Sequence, residues 1–153
     1  MKRKIFFISV IFFLIDLLTK VFVKSFDNYP ITIIDGFFDI DMVMNDGAAF
    51  SSFRGYQFIL IIIAIFVLFY IVKSIIPDVK TRLGLVSVSL LIGGIVGNLF
   101  DRIFYGKVVD FLSFNIFGYM FPVFNFADVF ICCGIVLYLI DYLRGEKHGI
   151  SSK

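Results

Sequence analysis

The chain has 153 residues, 60% of them apolar and only 17% charged, with a mean hydropathy of +1.00. A soluble domain of this length is nearer half apolar and a quarter charged, and it still leaves about a third of its unfolded surface in water, so a soluble domain, a disordered chain and a collagen-like chain are all excluded. The net charge of +2 is too small to recruit anionic partners and argues against nucleic-acid binding, and two adjacent cysteines, Cys132 and Cys133, give neither a disulfide framework nor a metal-knuckle spacing.

A membrane span needs about 20 mostly apolar residues to cross roughly 30 Å of hydrocarbon. Four stretches of a single membrane domain over residues 1–153 meet that requirement: 5–23, 56–76, 83–104 and 121–143. The first follows Met1-Lys2-Arg3-Lys4. It lacks the small-residue cleavage site of a secretory signal and continues through Asp16 and Lys20, so it is expected to be retained. Between the first two spans, about 25–55, lies an outer segment too polar to cross. Within it Phe38, Ile40, Met42 and Met44 alternate with Asp39, Asp41, Val43 and Asn45, the period-two pattern of a half-buried strand. The second span is the cleanest, and the 22 phenylalanines read as lipid-facing bulk. The third span ends in Asn98, Asp101 and Arg102, and residues 105–120 form a second outer connection that carries Asp110. The fourth span contains Asn125 and Asp128 near its start, the two cysteines in its middle, where packing is their expected role, and Asp141 near its inner end, where little is expected of it. The fold class expected is therefore an all-α integral membrane protein of four transmembrane helices, with a small extracytoplasmic β-sheet between helices 1 and 2.

Lysine and arginine near span ends set orientation. With the N-terminus inside, the inner segments hold Lys2, Arg3, Lys4, Lys73, Lys80, Arg82, Arg144, Lys147 and Lys153, nine of the fourteen bases, while nine of the twelve acids fall outside. Both termini are expected in the cytoplasm.

With that topology the intramembrane polar residues converge on one depth. Charges inside a span are costly and usually face a protein interior with a function. Asp16 with Lys20, Asn98 with Asp101 and Arg102, and Asn125 with Asp128 all fall in the outer halves of their spans, and Asp110 lies between them. Their spacings of three and four put each group on one helix face. Asp16 with Lys20, and Asp101 with Arg102, read best as mutually neutralising pairs that join helices. Asp110 and Asp128 are left without a local base. Two carboxylates that meet at a partly dry interface cannot both ionise easily, which is how an aspartic protease shares one proton between two acids. Proton-coupled transporters hold such acids as well, and a relay through Asp16, Asp101 and Asp128 is the principal alternative; a non-catalytic assembly subunit is another. An intramembrane protease of the prepilin type would carry its acids on the cytoplasmic side. A serine nucleophile, Ser51 or Ser52 with Lys107, has no supporting motif, and His148, the only histidine, lies in the tail, which disfavours a zinc hydrolase. Gly93 and Gly97 have the GxxxG spacing of a close helix contact.

Five blocks, Asp16-Leu-Leu-Thr-Lys20, Asn45-Asp-Gly-Ala-Ala-Phe-Ser51, Gly97-Asn-Leu-Phe-Asp-Arg102, Val108-Val-Asp110 and Phe124-Asn-Phe-Ala-Asp128, together resemble the signature of signal peptidase II, the bacterial lipoprotein signal peptidase. The resemblance implies an aspartic endopeptidase of the bacterial inner membrane. Such an enzyme cuts diacylglyceryl-modified prolipoproteins on the amino side of the lipidated cysteine, at an active site on the extracytoplasmic side. It implies Asp110 and Asp128 as the catalytic pair, with Asp16, Lys20, Asn45, Gly47, Asn98, Asp101, Arg102 and Asn125 supporting the pair or binding substrate. The outer strand segment would match a sheet that cradles substrate. No metal or cofactor is implied, the partners are lipid-modified prolipoproteins and membrane lipids, and a monomer is expected.

Overall fold

The computed structural model of the chain describes residues 1–47 and 55–150, with side chains as far as 144. Ser51 and Ser52 therefore lie outside the described residues, as does the side chain of His148. Among the described residues four helices are long and apolar enough to cross a membrane. They are α1 (Lys2–Val23), α2 (Gln57–Tyr70), α3 (Arg82–Tyr105) and α4 (Phe126–Ile150). Helix α2 is prolonged to Asp78 by a π-helical turn (Ile71–Ile75) and a 3-10 turn (Ile76–Asp78).

Helix α3 lies at the centre, packed against both α1 and α4 and more weakly against α2. Glycines permit the close approach. An added Cβ at Gly93 would meet Ser9 O at 2.9 Å and Phe12 Cβ at 2.6 Å on α1, while one at Gly94 would meet Ala127 O at 2.5 Å on α4. Gly97 touches both neighbours, through Asp16 and Ala127. The GxxxG spacing is thus one flank of a helix that is small on both sides, as backbone approach without a hydrophobic driving force requires. At the other end, Thr81 caps α3 by accepting the Gly84 N–H at 2.8 Å, and its hydroxyl donates to Asp141 Oδ1 at 2.7 Å. Asp141, from which little was expected, ties α4 to the start of α3.

The strand expected from alternation at Phe38 to Asn45 is β2 (Phe38–Asn45), but its sheet is larger than the sequence suggested. Four antiparallel strands run in the order β1 (Ile31–Ile34), β2, β3 (Val108–Ile116), β4 (Tyr119–Met120). Half of the sheet therefore comes from the second outer connection, and Asp110 sits on a strand. Val108-Val-Asp-Phe-Leu-Ser113 is buried at every position, so it shows no alternation to read. Helix α4 also begins five residues later than the apolar run. Pro122 cannot donate to a helix, and Phe121 to Phe124 instead run alongside β3, with Phe121 N–H donating to Phe114 O at 2.8 Å and Leu112 N–H to Phe124 O at 2.8 Å.

Two apolar clusters bracket the bundle. One gathers Ile5, Ile71, Val79, Leu85, Val88 and Leu91; the other gathers Val23, Phe111 and Leu112 beneath the sheet. On α1 the charged residues Asp16 and Lys20 fall between Ile5 of the first cluster and Val23 of the second. The phenylalanines divide in the same way. Phe58, Phe66 and Phe69 of α2 face outward, while Phe111 is buried and Phe38 stacks on Phe114 with centroids 4.6 Å apart, so the expectation of uniform lipid-facing bulk is corrected.

Candidate active site

Lys20 is the hub of the polar layer. It is 1% exposed, and its ammonium is ion-paired with Asp16 Oδ2 at 2.7 Å and Asp101 Oδ2 at 3.0 Å and donates to Asn98 Oδ1 at 3.1 Å. Both acids are equally buried and carry on to other elements. Asp16 Oδ1 accepts the Ala127 N–H in the first turn of α4 at 2.9 Å, where an anion is favoured by the free N–H groups and the helix dipole. Asp101 Oδ2 accepts the Val109 N–H of β3 at 3.2 Å. One cation thereby locks α1, α3, α4 and the strand bearing Asp110 together.

That arrangement corrects one expected pairing. Asp101 neutralises Lys20, not Arg102, because adjacent helix residues point in different directions. Arg102 faces the sheet instead, donating to Asn98 O at 3.2 Å and to Gly47 O at 3.0 Å. The Gly47 N–H in turn donates to Asn45 Oδ1 at 2.9 Å, so Arg102 and Asn45 fix the chain leaving β2.

Above the hub, asparagine amides carry the network to the two acids. Asn98 Nδ2 donates to Asp128 Oδ1 at 2.7 Å, and Asn125 Nδ2 donates to Asp110 Oδ1 at 2.7 Å. Asn45 Nδ2 holds the other Asp110 oxygen at 2.8 Å, reached across the β2–β3 pair, where Val43 lies opposite Asp110 and Asn45 opposite Val108. Asn125 immediately precedes α4. Its Oδ1 accepts the Asp128 N–H at 3.0 Å while Asp128 Oδ2 accepts the Asn125 N–H at 3.2 Å. This is a reciprocal capping box with aspartate in the glutamate position. The local rule that starts the helix thus also orients Asp128 and aims the Asn125 amide at Asp110. Sequence reading registered the spacing of three but not the cap.

Asp110 and Asp128 both line one cavity of about 680 Å³, which Asn45, Asn98 and Arg102 also reach. Its remaining wall is apolar, from Val43 and Met44 of β2, the 121–124 segment, and Val129, Ile131, Cys132 and Cys133 of α4. The cysteines, expected to pack, are exposed on this wall, because the sheet and the late start of α4 leave that helix face open. Asp110 is 3% exposed, and burial pushes its carboxyl up to about 6; the nearby Asp128 charge pushes the same way, against the donors Asn45 and Asn125. All ten residues singled out from sequence fall in one connected network: Asp110, Asp128, Asp16, Lys20, Asn45, Gly47, Asn98, Asp101, Arg102 and Asn125.

Known proteins resemble the chain throughout its length. Residues 8–144 match the family model described as Signal peptidase (SPase) II. The chain is 40% identical over 123 residues to the lipoprotein signal peptidase of Neisseria meningitidis serogroup C (strain 053442), covering 78% of this chain and 75% of that protein. It is 37% identical over 148 residues to the lipoprotein signal peptidase of Wigglesworthia glossinidia brevipalpis, covering 92% and 95%. A solved structure described as a bacterial membrane enzyme, determined by the in meso method at 2.3 Å resolution, superposes with a TM-score of 0.85 at 33% identity, covering 94% of this chain and 90% of that one. With four membrane-length helices, a small antiparallel sheet and paired carboxylates on a common cavity, the chain belongs to the signal peptidase II family of aspartic proteases, which remove lipoprotein signal peptides.

Proposed function

We propose that Asp110 and Asp128 share one proton and activate a water molecule for peptide hydrolysis. The charged member of the pair takes a proton from water as its oxygen attacks the scissile carbonyl carbon. The protonated member donates to the developing oxyanion. As the tetrahedral intermediate collapses, the C–N bond breaks and the leaving amine takes a proton from the pair. The observation that carries this reading is Asn125, whose amide group binds Asp110 while its backbone N–H and side-chain oxygen bind Asp128. Asn98 and Asn45 hold the outer oxygens, and the Lys20 cluster sets the helices at the spacing the pair needs.

The substrate in this proposal is a prolipoprotein cut on the amino side of its diacylglyceryl-modified cysteine. The supporting feature is the wall of the cavity, which is apolar everywhere except around the acids, as a peptide bond attached to acyl chains requires. The excess of lysine and arginine in the N-terminal, 73–82 and C-terminal segments orients both termini toward the cytoplasm of a bacterial inner membrane. The acids then face the outer leaflet. The chain works as a monomer and without a metal. A transmembrane proton relay finds no support, since the apolar cluster around Ile5, Val88 and Leu91 fills the inner half, and Ser9, Ser87 and Ser89 there bond to carbonyls of their own helices.

The test is cleavage by purified protein of a synthetic prolipoprotein with and without its diacylglyceryl group. Only the lipidated form should be cut, and equal cleavage of both would overturn the substrate assignment. Asp110→Asn and Asp128→Asn should each abolish cleavage while the protein still inserts; full activity in either would overturn the mechanism.

A further inference from the structure

The hairpin that joins β3 to β4 is built against the usual rules. Ile116 pairs with Tyr119 and Asn115 with Met120, which leaves Phe117 and Gly118 as a two-residue turn. Both have positive φ, 52° and 85°, the backbone of a type I′ turn. That turn favours Asn or Gly at its first position, and a bulky side chain there is an outlier. Phe117 gains nothing from the fold in return, since it is 104% exposed. Its neighbours continue the pattern: Ile116, Tyr119, Met120 and Phe121 are all exposed. From Phe111 to Ala127 the sequence contains no charged residue, whereas Asp27, Asp35, Asp39 and Asp41 fall in and around the β1–β2 half of the sheet. The acids of this half thus lie on β2 and in the connections around β1, while the β3–β4 hairpin beyond Asp110 carries no charge.

We propose that this hairpin is a wedge that inserts Phe117 into the outer leaflet of the bilayer beside the mouth of the active-site cavity. The side of the membrane rests on the topology proposed above. Lipid is the partner whose chemistry fits, because a protruding aromatic tip flanked by a tyrosine and free of charge suits the headgroup boundary. At the outer ends of α1 and α3 the Lys24 ammonium lies 3.7 Å from the Tyr105 ring, a pairing that suits the same headgroup boundary. The wedge also has a consequence for substrate entry. The chain leaves β4 directly into Phe121 to Phe124, which form part of the cavity wall. A tip held in lipid keeps that wall at the leaflet surface, so that a lipidated substrate diffusing in the leaflet meets the cavity without leaving the membrane.

The chain has no tryptophan, so Phe117→Trp introduces a single indole at the tip, excited at a wavelength that spares the tyrosines. The variant would be reconstituted in phosphatidylcholine vesicles whose acyl chains carry bromine at shallow or deep positions. Phe66→Trp, on the exposed face of α2, gives the deep reference. The Phe117→Trp indole should be blue-shifted, quenched at least twofold by shallow bromines and resistant to acrylamide in the water. Acrylamide quenching without bromine quenching would overturn the wedge. Protection from both would mean that protein covers the tip, a second copy included, and would overturn it too. The readout is independent of catalysis, so an inactive protein with a bromine-quenched indole would refute the proposed cleavage and leave the wedge intact. As a functional arm, Phe117→Asp should raise KM for lipidated substrate in vesicles about tenfold with kcat little changed, and Phe117→Leu should restore it; no change in KM would refute the role in entry.

Discussion

Removal of the Asn45 amide is the most direct way to ask whether Asp110 titrates in the reaction. Asn45 donates to Asp110 at 2.8 Å and favours the carboxylate, so it holds the pKa down against burial, which prevails and leaves it raised to about 6. A hydrogen bond to a charged group contributes about 1.5–3 kcal/mol, and one pKa unit corresponds to about 1.4 kcal/mol. Asn45→Ala would thus raise the Asp110 pKa by about one to two units, less whatever water entering the vacated space restores. A net rise of about one unit is expected. The assay is kcat/KM for a lipidated peptide across pH, which reports ionisations of the free enzyme. The protonated form gains, so the limb governed by Asp110 must move to higher pH whether Asp110 serves as base or as acid. If that limb is the acidic one, activity near pH 6 falls more than activity at pH 8. Profiles of parent and variant that superimpose, or a limb displaced to lower pH, would refute the placement of Asp110 in the reacting pair.

Three further predictions follow from the same network. Lys20→Met strands Asp16 and Asp101 as facing buried acids and should cost about 3–5 kcal/mol; a lowered thermal unfolding midpoint in detergent, partly recovered by adding Asp101→Asn, checks it, and an unchanged midpoint would mean the cluster does not hold the bundle. Gly97→Ala should destabilise more than Ala substitution at Gly106, a helix-ending glycine with nothing within 4 Å of the added Cβ and only its left-handed φ to oppose the change; the comparison is again of unfolding midpoints, and equal losses would show that the α1–α3–α4 approach tolerates a methyl group. Dialysis against a chelator should leave cleavage of the lipidated substrate unchanged, and a loss restored by added metal would contradict a water activated by carboxylates alone.

Asn45 and Gly47 joined the site only through the resemblance to a family, whereas the four helices, one strand and the polar residues of the spans were legible in the sequence. Those features follow from local chemistry: uninterrupted hydropathy marks a span, alternation marks β2, and an acid or amide within a span is too costly to be incidental. What it did not determine was partnership. Charge spacing along α3 suggested Asp101 with Arg102, but Asp101 belongs to Lys20, 81 positions earlier in the chain, and Arg102 to the carbonyl of Gly47. Strand β3 was invisible because a segment buried on both faces leaves no period, and only its pairing with β2 shows that Asp110 is held by a sheet and not by a loop. The cysteines looked like core because hydropathy records how apolar a residue is, not whether a neighbour covers it. Local composition sets which groups must leave lipid and water; which group answers which is set by contacts between residues far apart in sequence, and these exist only once the helices and strands have packed.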